Sequence, residues 1–475
     1  SEDPLTPAGI LKEIKKAWDP DNIFNPQKIV DTPPITENLR VIPGKPTPEF
    51  DTHFDYSQHK GYFRSIEKCN GTADCRKSEV IGGTMCPTFM ASRDEDKSTR
   101  GRANILREFL SSPKNENPFD QQEIYDILDL CISCKACKSE CPSNVDMAKM
   151  KAEFMQHYYD VHGIPLRTKL IAYLPRLNSL AYLFRGISNT AMKTSLLKKA
   201  IGFAPERSLP ELSKLTLNKW VSNGIPKPES GSKGKVYLFN DEFTNYNESD
   251  IGIKAILVLT KLGYEVKIPA HKESARTFLS KGLLRTSKKI ATENVELLKD
   301  IVTEETPLIG VEPSAILAFR DEYPELVDNT LKSAAEELGK HALLFDEFIA
   351  TEIEKGNISS EAFSQKEKQI LLHGHCQQKA VASTEPTNRM LSLPDNYSVK
   401  EIPSGCCGMA GSFGYEKEHY DLSMKIGEMV LFPAVQEAEE KVIISAPGTS
   451  CRHHIKDGTG KTALHPVEVL FEALK

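Results

Sequence analysis

Residues 131–142 read CISCKACKSECP, with cysteines at 131, 134, 137 and 141 and a proline behind the last. Three thiols spaced two residues apart on a curled loop can reach three irons of one cubane, while the fourth points away toward a second cluster. Pro142 lacks an N–H and turns the chain out of the loop. A zinc knot pairs two Cys-x-x-Cys units and would not run three cysteines through one loop. The stretch therefore predicts an iron–sulfur site in a small helical domain. Around it, STRGRANILREFL (98–110) and PFDQQEIYDILDL (118–130) place apolar residues at i, i+3 and i+4, with Asp120 a candidate cap for the second. A third helix, VDMAKMKAEFMQHYYDVHG (145–163), is expected to stop at Gly163.

Upstream lie CNGTADC (69–75) and MCP (85–87). By the same crossover, Cys86 completes Cys131, Cys134 and Cys137 as a 4Fe-4S site. Cys69, Cys75 and Cys141 are left for a second cluster, with Thr72 where a middle cysteine belongs. Three thiolates suit a 3Fe-4S cluster, or a 4Fe-4S cluster whose fourth iron takes water, hydroxide or another side chain. A cubane on Cys131, Cys134, Cys137 and Cys141 alone stays open. Arg76, Lys77, Lys135 and Lys138 lie in the loops and Arg100 and Arg102 just beyond, where cations raise cluster potentials; the lysines are expected to be solvated and to tune the clusters only weakly.

The chain has 475 residues, 39% hydrophobic and 27% charged, enough for several cores. Its net charge of −6 gives no general reason to bind nucleic acid. No apolar run is long enough to span a bilayer, and no secretory leader pattern opens the sequence. Eleven clustered cysteines, an odd number, fit reduced thiolates serving metals in the cytoplasm. A peripheral place on the cytoplasmic membrane face is compatible with that.

Residues 9–29, GILKEIKKAWDPDNIFNPQKI, read as a helix end, a DP turn and a short strand behind NP. A link with Pro33, Pro34, Pro43, Pro46 and Pro48 follows. Residues 166–220 look helical and amphipathic, and NGIPKPESGSKGK (223–235) marks a boundary. From 235 the pattern is α/β, with short apolar strands at 235–239, 265–269, 307–313, 369–374, 398–403 and 441–448. This half repeats itself: KVYLFNDEF matches QILLHGHCQ, and VKIPAHKES matches VKEIPSGCCG. Glu242 falls opposite Cys376 and Glu273 opposite Cys407, the two positions standing 31 residues apart within each copy. EPSA (312–315) matches GTSC (448–451), so the first copy has lost every cysteine and is expected to be scaffold. Its Glu312 and His271 are expected to be satisfied surface groups.

The second copy gathers Cys376, Cys406, Cys407 and Cys451, and SCRHH offers His453 or His454 as a further ligand. Glycines around the double cysteine allow a tight turn close to a bound ion. A metal or a cluster is expected at this site, its type open. The fold class predicted is α+β and multidomain: a helical two-cluster ferredoxin-like domain at 61–163, a helical bridge at 164–234, and a duplicated α/β domain at 235–360 and 365–475.

The Cys-x-x-Cys-x-x-Cys-x-x-x-Cys-Pro loop, HGHCQQKA, GCCGMAGSFGYEKEHYDLSMKIGE, APGTSCRHHI and LHPVEVL together resemble the iron–sulfur half of FAD-dependent 2-hydroxy-acid dehydrogenases. Glycolate oxidase iron–sulfur subunits and fused D-lactate and D-2-hydroxyglutarate dehydrogenase types are of this kind, and GGTMCPTFMASRDEDKSTRGRAN is similar to the fused members. Residues 1–35 resemble the C-terminal tail of an FAD-linked oxidase domain, with 36–60 a linker. The resemblance implies that FAD, in a domain upstream of this sequence, takes a hydride from a D-2-hydroxy acid, and that the clusters pass electrons to a quinone or another acceptor. It implies cluster ligation by Cys86, Cys131, Cys134, Cys137 and Cys141, and by Cys69 and Cys75 with the departure at Thr72. The CCG domain also resembles heterodisulfide reductase subunits, whose template wants five cysteines. Here there are four, with His454 at the last position. Two other functions compete: a thiol–disulfide redox subunit acting at Cys406 and Cys407, and a zinc-stabilised interaction scaffold.

Overall fold

The computed structural model describes residues 6–37, 39, 44, 46–111, 116–228 and 231–475. Pro43 of the expected link and Glu229 and Ser230 of the expected boundary lie outside them. The chain divides into two compact units, Ser1–Pro48 and Glu49–Lys475.

In the first unit, Thr6 caps the helix Pro7–Trp18, its hydroxyl accepting from Gly9 N at 3.2 Å. Asp19 ends the helix and accepts from Ile23 N at 2.8 Å and Phe24 N at 2.9 Å. The short strand expected behind Asn25–Pro26 does not form among the described residues, where the backbone turns through positive φ at Gln27 and Asp31. None of the residues of this helix is buried.

The second unit starts where a linker was expected, but its residues are packed. Phe54 and Tyr56 are buried, and Glu153 accepts from His53 N at 2.8 Å and Phe54 N at 3.0 Å. Helices Tyr62–Glu67, Thr99–Ser111, Gln122–Asp129 and Met147–His162 pack on one another through Tyr62, Leu106, Ile124, Leu128 and Phe154. Asp120 does not cap the third of these helices; it pairs with His162 instead. Gly163 ends the fourth with φ 76°, a left-handed turn that suits glycine.

The α/β half holds two parallel sheets. The first contains β1 (Gly234–Leu238), β2 (Tyr264–Lys267), β3 (Leu308–Gly310) and β4 (Ala342–Leu344), in the order β2-β1-β3-β4. The second contains β5 (Lys368–Leu372), β6 (Tyr397–Glu401) and β7 (Ile443–Ser445), in the order β6-β5-β7. Parallel strands need helical crossovers that cover both faces, so the central strands bury Leu238, Ile309 and Leu372 completely. One core runs from the helical layer into the first sheet's helices through Phe278, Leu284 and Tyr323, and it includes Cys134, Cys376 and Cys406.

Candidate metal centres

The cysteine loops are shaped by residues that curl the chain. Ser133 and Lys135 take left-handed φ of 51° and 63°, which folds 131–137 back on itself. As a result Cys86, Cys131, Cys134 and Cys137 line one small cavity, closed by Met85, Ile132 and Met147. The donors around it favour thiolates. Arg102, buried, points Nη1 at Cys86 Sγ from 3.8 Å, the Thr88 hydroxyl lies 3.3 Å from the same sulfur, and Met147 N donates to Cys137 at 3.4 Å. Burial, with the charges of neighbouring thiols, pushes Cys134 and Cys137 well above the usual thiol range while they carry protons. Buried and mutually repelling, these sulfurs need a cation to ionise against, as an iron–sulfur site provides.

Of the cysteines expected to hold the second cluster, Cys75 has Cys69 as a neighbour and Cys141 lies near Lys68. Arg100 N donates to Cys75 Sγ at 3.3 Å, and burial raises the Cys75 thiol, with Cys86 and Cys69 adding to the shift. Lys68 feels Cys141 across the loop. Thr72 is exposed.

The third group sits at the carboxyl ends of β5, β6 and β7, where parallel sheets present their sites. Cys376 opens the helix behind β5, Cys406 and Cys407 lie in the loop behind β6, and Cys451 is in the first turn of the helix Thr449–Thr459 behind β7. Hydrogen bonds from Cys406 and then Cys451 hold Cys407 low, and the Cys406 bond brings Cys376 to about 7. His373, Cys407 and Cys451 place their ligating atoms within 4.8 Å of one another, all three buried. His373 Nδ1 meets the Ser404 hydroxyl at 2.7 Å, and its buried Nε2 faces the Cys407 thiol with no other partner among the described residues. A ring oriented through one nitrogen is how histidine is prepared to ligate through the other.

His454 is placed differently. Arg207 Nη1 lies 2.9 Å from its Nδ1 and the Ser423 carbonyl lies 3.2 Å from its Nε2, so both nitrogens are spent. Burial brings its pKa down to about 4. Sequence alone points to the His beside the last cysteine; the structure presents the one at the end of β5. A repeat-based reading could have found His373, since it precedes Cys376 in the same strand-end loop.

Two further expectations change. Lys135 is not solvated: it is buried in ion pairs with Asp321 and Glu322. Glu312 is not a surface group: buried, it accepts from Thr449 N at 2.9 Å and so holds the start of the Cys451 helix. His271 is partly buried, and its Nε2 accepts from Asn240 N at 3.3 Å.

The third group adjoins the first. Cys376 is the charged neighbour that shifts Cys134 most after burial, and the helices Ala136–Glu140 and Cys376–Val381 pack together. Gly405 abuts the loop before Cys86, where an added Cβ would lie 2.9 Å from Thr84 Cα. Nearby, a cleft of ≈ 640 Å³ lined by Tyr125, Tyr159, Leu166, Leu170 and Ile201 reaches Lys151, whose Nζ donates to the Cys131 carbonyl at 2.6 Å.

A family described as a 4Fe-4S dicluster domain matches residues 68–146. This is an iron–sulfur electron-transfer module. It is homologous to D-2-hydroxyglutarate dehydrogenase of Escherichia coli (strain K12), 24% identical over 515 residues that cover 98% of this chain and 49% of the relative. One component of the anaerobic glycerol-3-phosphate dehydrogenase of the same strain is 26% identical over 322 residues, 66% of this chain and 79% of the relative. The glycolate oxidase iron-sulfur subunit of that strain is 22% identical over 397 residues, 82% of this chain and 91% of the relative. The iron–sulfur module spans about half the length of the curated D-2-hydroxyglutarate dehydrogenases it matches. No solved structure matches it.

Proposed function

We propose that the module is the electron-carrying part of a FAD-dependent D-2-hydroxy-acid dehydrogenase of the D-lactate, glycolate or D-2-hydroxyglutarate type. The observation that carries this reading is the single cavity shared by Cys86, Cys131, Cys134 and Cys137. Oxidising a 2-hydroxy acid releases two electrons and two protons. A flavin on a partner domain would take the electron pair as a hydride, and a 4Fe-4S cluster held by Cys86, Cys131, Cys134 and Cys137 would supply one-electron storage between flavin and acceptor. The chain's own residues prepare that storage: Arg102, Thr88 and the Met147 N–H face the thiolates, and the packed core excludes water. Cys69, Cys75 and Cys141 would hold the second cluster.

His373, Cys407 and Cys451, with Cys376 and Cys406 beside them, would hold a single ion or a small cluster next to the first site. The matching strand orders β2-β1-β3 and β6-β5-β7 support reading 235–360 and 365–475 as two copies of one unit. In the first copy, Glu242 stands where Cys376 stands in the second, its carboxylate bound by Ser274. The exposed apolar side of the helix Pro7–Trp18 supports a place for it on a flavin-bearing domain. A quinone or another acceptor would take electrons at the cleft above Lys151.

Iron, zinc and acid-labile sulfide per chain, measured on protein isolated without oxygen, test the reading. About eight irons mean two cubanes, and about seven with eight sulfides mean one 3Fe-4S site. Metal beyond the cluster count belongs to the His373 group. Zinc without sulfide would overturn the proposal. The substrate class is tested on the protein joined to its flavin-bearing part: anaerobic addition of D-lactate, glycolate or D-2-hydroxyglutarate should bleach the cluster absorbance, and no bleaching by any of the three rejects that class.

A further inference from the structure

The helical segment between the cysteine domain and the α/β half is unusual in what it leaves outside. Leu166, Leu180, Leu183, Phe184, Ile187 and Leu196 are between 64 and 82% exposed. Leu177 and Leu180 lie on the helix Leu174–Ala181, Leu183 and Phe184 on the tight turn behind it, and Ile187 on the helix Arg185–Lys193, so three successive elements expose apolar side chains. The helix Arg185–Lys193 buries none of its residues. Isolated exposed leucines need no explanation, but a run of exposed apolar residues does.

Its charge is of one sign. In a chain of net charge −6, residues 161–205 contain seven Lys and Arg and no Asp or Glu. Four of the seven are engaged: Arg167 with Glu416 and Glu418, Arg176 with Glu273, Lys193 with Glu211, and Lys198 with the Pro205 carbonyl. Lys169, Arg185 and Lys199 have no ion pair among the described residues and lie in the same segment as the apolar side chains.

We propose that residues 166–199 are a membrane-surface anchor that binds an anionic lipid bilayer. Exposed apolar side chains with cations in the same segment match the acyl boundary and the headgroups of such a surface. Lys and Arg can lay their stems along the apolar zone and keep their charges at phosphate level. No helix among the described residues is long and apolar enough to cross a membrane, so the segment lies on the bilayer. Leu166, Leu170 and Ile201 also line the cleft that reaches Lys151, so the cleft opens beside the surface that would meet lipid.

This inference is independent of the electron-transfer reading, because bilayer binding needs no cluster and no turnover. The test is vesicle flotation of the full chain with phosphatidylcholine alone and with equal parts of phosphatidylcholine and phosphatidylglycerol. The protein should float with the mixed vesicles, and less so as salt rises. Leu183→Asp combined with Ile187→Asp should weaken binding at least about tenfold. Lys169→Glu combined with Lys199→Glu should weaken it on the mixed vesicles by about tenfold or more. All four side chains are surface groups, so the thermal melts of both variants should match wild type. Failure of the wild type to float, or flotation of both variants like the wild type, overturns the proposal. So does size exclusion that shows the aspartate variant splitting a protein assembly while neither protein floats.

Discussion

His373 and His454 differ in what their rings have left to give. His373 keeps a buried Nε2 with only the Cys407 thiol before it, while His454 has both nitrogens committed, one to Arg207 and one to the Ser423 carbonyl. His373→Ala should therefore lower metal at the third cysteine group and leave loop-cluster iron unchanged. His454→Ala should leave both metal contents intact but cost about 1–3 kcal/mol of stability, because it strips a partner from a fully buried arginine. Elemental analysis beside urea melts separates the two, and equal metal loss in both variants would contradict the geometry. The clustering of the cysteines is visible from spacing, because a loop's cysteines are local in sequence. Which histidine lies against Cys407 and Cys451 is not, because ring orientation is set by Ser404 and Arg207, which come from distant segments. The ion pairs of Lys135 were hidden for the same reason: Asp321 lies in the other half of the chain.

At the level of elements, the loop before Cys86 and the loop carrying Cys406 must approach closely for the cysteine groups to adjoin. Gly405 permits it: a Cβ there would sit 2.9 Å from Thr84 Cα and 3.0 Å from the Gly83 carbonyl oxygen, with backbone on both counts. Gly405→Ala should force the loops apart, costing about 1–3 kcal/mol and lowering iron retention. Gly186→Ala is the control, since nothing lies within 4 Å of its Cβ position, and it should be neutral or slightly stabilising. Loss of iron in both variants, or in neither, would count against the close approach. The six strands read from the sequence all exist, because short apolar runs between helices leave a clear β pattern. β4 escaped because its three residues run straight into the helix Phe345–Glu354, and HALLFDEFIA reads as one helical stretch. The linker expected over 36–60 failed in its second part, where Glu153 draws the backbone of residues 53 and 54 onto the helical layer; nothing in a Pro-rich run announces a buried acceptor.

Across the whole molecule, the cysteine-rich layer is tied to the first sheet's helices by Lys135 and Lys138 meeting Asp321. Burial alone would raise the Asp321 carboxyl, but the two lysines hold it well below the usual carboxylate range. A carboxyl depressed in the folded state adds stability above its unfolded pKa of about 3.9 and loses it as pH falls below that value. Acid should therefore loosen this seam first from that side, where protonating Asp321 leaves Lys135 with Glu322 alone. Asp321→Asn should lower stability at pH 7 by up to about 3–5 kcal/mol, since a buried lysine loses a partner. Its stability should also fall less steeply than that of the wild type below pH 4. Urea midpoints at pH 7 and at several values below pH 4, taken without oxygen so that any metal is retained, measure both effects. Parallel acid slopes in the two proteins would show that Asp321 is not held low, and that the seam rests on apolar packing around Phe278 and Tyr323 instead.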